Sequence, residues 1–351
     1  MNSFVATLAL GLLSVSLLLW GVIVLPRERW QIIASAPLEK VGSDSWRGLN
    51  LTWYGALSAT AYQVAAIVFL ALMGSIGIPL FMATLLTVGI LLICVPSSKL
   101  IALAVEKKAH TFTVGGAAFT GLILLYPLIL ALNAVIAPLT GAAIPFVPAL
   151  AALAVAYALG EGIGRLACIS FGCCYGKPLA DCTPTVRRLL RHRTFTFYGA
   201  TRKAVYAGKL EGVPLLPIQA VTSAIYLMTA VAGFYLYLSL RFAAAALLTL
   251  TITQGWRVIS EQFRADYRGE GAFTAYQIMA VVGVAVAALM VALTPATTGL
   301  TANITGGVAQ LWTPGMLLAL QGLWLVIFLY TGRSSVTGAQ ITFHLHAHRI
   351  E

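Results

Sequence analysis

The chain has 351 residues, enough for two ordinary soluble domains, yet it is 60% hydrophobic and carries only 9% Asp, Glu, Lys and Arg, where soluble proteins carry about 25%. Its mean hydropathy of +0.90, with uncharged apolar runs near the roughly 20 residues that cross a ~30 Å hydrocarbon layer, excludes a water-soluble globule and describes an all-α, polytopic membrane protein. Lys and Arg number 22 against 11 Asp and Glu, a formal charge of +11, which suits anionic lipid headgroups; no basic and aromatic pattern of a nucleic-acid module accompanies it.

In chain order, the first apolar run, Phe4 to Leu25, lacks the basic start and small-residue cleavage pattern of a signal peptide and reads as a retained span. Further runs follow at Leu51 to Met73, Ile78 to Val105, Thr113 to Val135 and Ile144 to Ile163, with short connections rich in Gly and Pro. A hydrophilic insertion, Gly164 to Pro214, is too long for a simple connector and reads as a small extramembrane subdomain. Then come Leu215 to Leu240, Phe242 to Ile259, Phe273 to Leu293 and Pro314 to Tyr330, about nine spans in all, and a tail from Thr331 that looks weakly ordered. No internal repeat is apparent. Lys and Arg concentrate in alternate loops and above all in the insertion, which by the positive-inside rule puts the insertion in the cytoplasm.

Two clusters stand out because charges are scarce. The stretch Gly160 to Pro178, GEGIGRLACISFGCCYGKP, sets the charged pair Glu161 and Arg165 among Gly160, Gly162, Gly164, Gly172 and Gly176. Those glycines permit close backbone approach, and Arg165 offers a planar fork of donors to a phosphate; the alternative is tight helix crossing with Arg165 reaching out to the interface. The second cluster is Arg257, Glu261, Arg264, Asp266 and Arg268. Arg257, Glu261 and Arg264 share one helix face by their spacing, and ionisable groups in hydrocarbon, at roughly 2.5–3.5 kcal/mol each, are expected to face a protein interior and pair. A salt-bridged helix end at headgroup level is the alternative.

Smaller features lie at other span ends. Trp53 and Tyr54 open the second run, where aromatics are ordinarily interface anchors. Lys99 reads as a buried lysine near the double glycine Gly115-Gly116. Cys168, Cys173, Cys174 and Cys182 do not fit the usual short-spaced zinc couples, so no metal is expected; a disulfide from Cys173 or Cys174 to Cys182 suits an oxidising compartment, and soft packing against the glycines suits any. His344, His346 and His348 alternate in the tail.

Together these residues resemble the bacterial prolipoprotein diacylglyceryl transferases. Gly164-Arg165-Leu166-Ala167-Cys168 with Gly172-Cys173-Cys174-Tyr175-Gly176-Lys177-Pro178 looks like that family's signature in its paired-cysteine variant. In order along the chain, Trp53-Tyr54-Gly55, Ser98-Lys99-Leu100, Gly115-Gly116, Pro217 with Gln219, the helix of Arg257, Glu261 and Arg264, and Gln277 resemble further family elements. The resemblance implies a seven-span core over 51–293, with an extra span at each end in 1–50 and 294–351, in a bacterial cytoplasmic membrane with an extracytoplasmic active site. It implies transfer of a diacylglyceryl group from phosphatidylglycerol to the lipobox cysteine of a prolipoprotein, or to another acceptor, or a lipid-binding relative without turnover. The site it implies has Arg165, Arg257 and Glu261 in the chemistry and Tyr54, Lys99, Gly115, Gly116, Gly164, Gly172, Gly176, Gln219 and Arg264 around the substrates, with no cofactor. Where relatives commonly have a histidine before the double glycine this chain has Val114, with His110 four residues earlier; Cys168 and Cys173 stand where Asn and Glu are frequent; and Ala220-Val221-Thr222 replaces a Leu-Tyr-Glu.

Overall fold

The structure, a computed structural model, describes residues 2–27, 31–107, 113–266 and 273–343. His110, Arg268, His344, His346 and His348 lie outside the described residues. The elements run α1 (Ser3–Val24), β1 (Ile32–Lys40), β2 (Ser45–Thr52), α2 (Trp53–Ser75), α3 (Leu80–Glu106), α4 (Val114–Thr140), α5 (Phe146–Phe171), α6 (Pro184–Leu190), α7 (Lys203–Tyr206), α8 (Ile218–Leu238), α9 (Phe242–Ser260), α10 (Ala275–Leu293), α11 (Ile304–Leu311), α12 (Pro314–Thr331) and β3 (Arg333–Thr342). Nine of the described helices are long and apolar enough to cross a membrane, in agreement with the hydropathy runs.

Helix starts follow side-chain chemistry that the sequence displays. Thr52, Thr113, Thr274 and Thr313 each accept a hydrogen bond from an N–H of the first turn of α2, α4, α10 and α12, and Gln277 closes a reciprocal box with Thr274. Helix α5 forms the axis of the bundle, packed against α2, α8 and α9. Its buried alanines, among them Ala149, Ala151, Ala152, Ala154, Ala156 and Ala158, let neighbouring backbones approach, the packing that membranes favour where apolar burial gives no drive between helices. It runs on through Gly164 to Phe171, so the signature arginine sits on a helix and the chain leaves the bundle only at Gly172. Gly172 ends the helix at φ +67°, the left-handed cap that glycine adopts without steric penalty.

Besides this later start of the insertion, at Gly172 instead of Gly164, two features depart from the sequence reading. The tail expected to be weakly ordered forms strand β3, which pairs antiparallel with β2, itself paired with β1. Hydropathy does not register a half-buried strand, and the partner lies some 280 residues away: Thr52 Oγ1 donates to Gly332 O at 3.0 Å, and Asn50 Nδ2 to Thr337 Oγ1 at 3.0 Å. Lys99, expected to be buried, is exposed on α3, while its neighbour Ser98 is buried and accepts the Thr113 N–H at 3.2 Å. Lys99 sits two turns from the charged end of α3, from where its long aliphatic stem can reach the headgroup layer, so the ammonium need not be buried in protein.

The insertion beyond Gly172 shares an apolar core with the bundle: its Tyr175, Phe195, Phe197, Ala204 and Leu215 are buried together with Leu25, Leu57, Leu166 and Ile169 at the end of α5. Arg202, 2% exposed, is driven into that end: its guanidinium donates to Ile169 O at 3.2 Å, to Ser170 O, and to Leu25 O at 3.3 Å beyond α1, and lies 5.7 Å from the Phe197 ring centroid. Gln31 Nε2 joins it at Ser170 O, 3.0 Å. The last carbonyls of a helix have no partner within it and carry partial negative charge, so one buried cation here fastens the insertion to two helix ends. Among the described residues, Arg241 in the α8–α9 turn is the only Lys, Arg, Asp or Glu at the opposite end of the bundle.

Candidate active site

Three helices converge just inside the charged end. On α5, Tyr157, Glu161, Arg165 and Cys168 recur at spacings of four, four and three, placing a polar stripe on a helix otherwise lined with Ala, Val and Leu. Glu161 and Arg165 are both buried and form an ion pair one helical turn apart. On α9, Arg257 is buried and donates from Nη1 to the Tyr157 hydroxyl at 3.2 Å, which also accepts from Gln254 Nε2 at 3.3 Å. On α8, Gln219 donates to Cys173 O at 2.9 Å, and Tyr226 OH donates to Thr253 O at 2.8 Å.

Arg165, Arg257 and Arg264 line one cavity together with Cys174, Ile218, Gln219, Thr222, Tyr226 and Ser260. Its volume, about 10 Å³, matches a single water molecule. The Nε–H of Arg165, the Nε–H of Arg257 and the Oε1 of Gln219 are buried without a hydrogen-bond partner. Unsatisfied buried donors are rare in folded proteins, and two on guanidinium groups sharing a cavity fit an anionic acceptor. Helix α4 reaches this wall through Gly115: a methyl group there would stand 2.9 Å from Cζ, Nε and Nη2 of Arg257, so any side chain at this position displaces the guanidinium.

Arg264 lies past the end of α9 and forms a two-pronged bond to Asp266 at 2.7 and 2.8 Å. Burial works against its charge, but Cys174 and Asp266 alongside more than compensate, leaving its pKa above the ordinary arginine value. Lys203 on α7 shows the same balance: burial lowers its pKa, neighbouring Cys173, Cys174, Tyr206 and Asp266 raise it, and the net shift is upward. The Cys173 thiol is held well above its usual range, first by hydrogen bonding with Cys168 and Cys174 and then by burial. Gly176 pairs in a bridge with Arg264 and abuts the Leu216 carbonyl, which ties the signature loop to α8 and to the end of α9.

The expected site residues therefore fall into three groups. Arg165, Arg257, Arg264 and Gln219 share the cavity; Gly115 abuts Arg257 and Gly176 bridges to Arg264, while Gly172 faces Arg202 and Phe197 in the insertion. Tyr54 packs its ring 5.5 Å from Phe171 and lies within electrostatic range of Cys168, Cys173 and Cys174; Gly116 faces Ile101 and Gly164 faces Ala61, both in helix packing. Glu261 lies in the 3₁₀ turn after α9, partly exposed and outside the lining, and Lys99 is on the outer face of α3. The carboxylate that pairs with Arg165 is Glu161, one helical turn earlier on α5. Tyr157 and Tyr226 were missed, although Tyr157 continues the α5 stripe one turn earlier.

No curated protein matches the chain. A family model described as prolipoprotein diacylglyceryl transferase matches residues 45–293.

Proposed function

From the premise that the chain belongs to the prolipoprotein diacylglyceryl transferase family, and is thus a multi-pass membrane transferase of lipoprotein biosynthesis, we propose that its donor is phosphatidylglycerol and its acceptor the lipobox cysteine thiol of a membrane-tethered precursor. The observation that carries this reading is the pair of buried arginines, Arg165 and Arg257, in one cavity with unsatisfied donors. In the reaction the thiol sulfur forms a bond to the terminal glyceryl carbon of the diacylglycerol moiety. The bond from that carbon to the phosphate oxygen breaks, its electron pair stays on the phosphate, and the thiol proton is lost. Charge therefore grows on the departing glycerol phosphate, where two preorganised guanidinium groups in a dry site are most effective. The Tyr157 hydroxyl and the Glu161 carboxylate hold the two forks in orientation. A phosphodiester exceeds the cavity, so its entry must part the lining side chains.

The site is proposed to face outward, where exported precursors present their cysteine, although the loop charges by themselves argue for the opposite orientation. The test is a purified-protein assay with phosphatidylglycerol labelled in its headgroup and a lipobox peptide. Release of glycerol phosphate that requires the peptide cysteine is the expected outcome. Release without the peptide, driven by another nucleophile, overturns the acceptor; no release with any acceptor overturns turnover itself.

Gly115→Ala provides a local check on Arg257. The added methyl must push the guanidinium aside, and a misplacement of about 1 Å in a positioned group lowers rates on the order of 100-fold. The variant is expected to retain wild-type thermal stability while losing turnover at saturating donor, as read in the same assay.

A further inference from the structure

The turn at Gly172 brings three sulfur atoms together. Cys168 is on the last turns of α5, and Cys173 and Cys174 follow the left-handed cap. The three Sγ atoms lie within 4.8 Å of one another, with Cys168 and Cys174 at 3.8 Å. Ligands held at roughly 2.3 Å from a tetrahedral zinc stand about 3.8 Å apart, so one edge of such a site is already formed and the third sulfur closes on it by small side-chain movements. Cys174 has φ +53°, an uncommon conformation for a residue with a Cβ, and it is this residue that lines the cavity holding Arg165 and Arg257. Cys182 stands apart and donates to Pro178 O at 3.5 Å.

We propose that Cys168, Cys173 and Cys174 bind one zinc ion whose fourth position, open toward the arginine cavity, takes up the acceptor thiol. This deepens the transferase reading above and rests on it. No fourth Cys, His, Asp or Glu joins the cluster among the described residues, the ligand count of a zinc site that keeps a position for substrate. Four thiolates around a dipositive ion carry net negative charge, and Arg165, Lys203 and Arg264 are all within electrostatic range of the cluster. The metal also supplies what the arginines cannot. Val114 offers no base, and Glu161 is engaged by Arg165, whereas a thiol bound to zinc is deprotonated outright. The bound sulfur attacks the glyceryl carbon, the carbon–oxygen bond breaks toward phosphate, and the neutral thioether product, a weaker ligand than thiolate, leaves the metal. The thiol proton goes to solvent when the acceptor binds.

The experiment uses full-length protein in detergent, reduced, stripped with chelator and then given Zn(II) alone. The expected result is about one zinc per chain by elemental analysis, with Cys168, Cys173 and Cys174 protected from alkylation and Cys182 still reactive. Co(II) in place of zinc is expected to show thiolate charge-transfer absorption and tetrahedral d–d bands that shift when a lipobox peptide is added without lipid, and do not shift with its Cys→Ser counterpart. C168S/C173S/C174S loses the metal, while C182S keeps it. Zinc no higher than in the triple variant, or a Cys168–Cys174 disulfide persisting under reduction, overturns the site; a cobalt spectrum unmoved by the peptide overturns the acceptor role. None of these readouts needs donor or turnover. A protein that transfers lipid while free of zinc sinks the metal proposal alone, and one that binds zinc and peptide without transferring sinks the transferase reading alone.

Discussion

Arg165→Lys is expected to lower diacylglyceryl transfer by about 100- to 1000-fold, the range found when one preorganised donor to a developing negative charge is removed. Lysine keeps the charge and can still pair with Glu161, so the bundle should fold. It cannot reproduce the planar fork that leaves Nε–H free for phosphate while Nη2 engages the carboxylate. Arg165→Ala confuses two effects: it also strands a buried carboxylate, an outcome that destabilises proteins by about 3–5 kcal/mol. Pairing it with Glu161→Gln removes the stranded charge, and the double variant is expected to behave as a monodisperse protein in detergent yet to be inactive. Near-normal lipidation of a lipobox peptide by Arg165→Lys would remove the phosphate-stabilising role.

A large loss of stability is also expected at Arg202, outside the cavity. Arg202→Met keeps much of the side chain's apolar bulk and removes donors to the Ile169, Ser170 and Leu25 carbonyls. Hydrogen bonds from a charged donor contribute about 1.5–3 kcal/mol each, and buried carbonyls left behind lose more than a surface group would. A loss of at least ~3 kcal/mol is therefore expected, seen as a lowered midpoint of thermal aggregation in detergent and as proteolysis within the insertion. Arg188→Met on exposed α6 serves as the control, with a change within about ±0.5 kcal/mol. Equal behaviour of the two variants would mean that the insertion is held by its apolar core alone.

How much of this could be read from the sequence depends on the distance over which each feature is encoded. The spans are local: uncharged runs of the right length, and the threonines that cap them, identify the helices. The pairing of Arg165 with Glu161 is local as well, one helical turn. That Arg165 and Arg257 meet is not local, and only their shared scarcity in an apolar chain and the resemblance pointed to it. Arg202 was one of nine basic residues in the insertion, with nothing in its neighbours to distinguish a buried cation from Arg187 or Arg188. Glu261 had the right spacing from Arg257 for the same face, but α9 gives way to a 3₁₀ turn at that residue and carries it out of the lining. The cysteine trio escaped for a related reason. Ligand spacing rules assume extended couples, whereas here a helix end and a left-handed residue fold adjacent positions back upon a third.

The strand β3 has a consequence for biogenesis. The segment that leads into α2 cannot complete its hydrogen bonding until residues 333–342 have left the ribosome, and contacts of such high sequence separation are slow to form. Through most of synthesis the translating chain thus exposes an unpaired strand edge beside the membrane, a surface prone to wrong partners. The residues lining the proposed site all precede α10, so α12 and β3 act as a late latch: chains truncated before residue 313 should insert their helices but be culled by quality-control proteases.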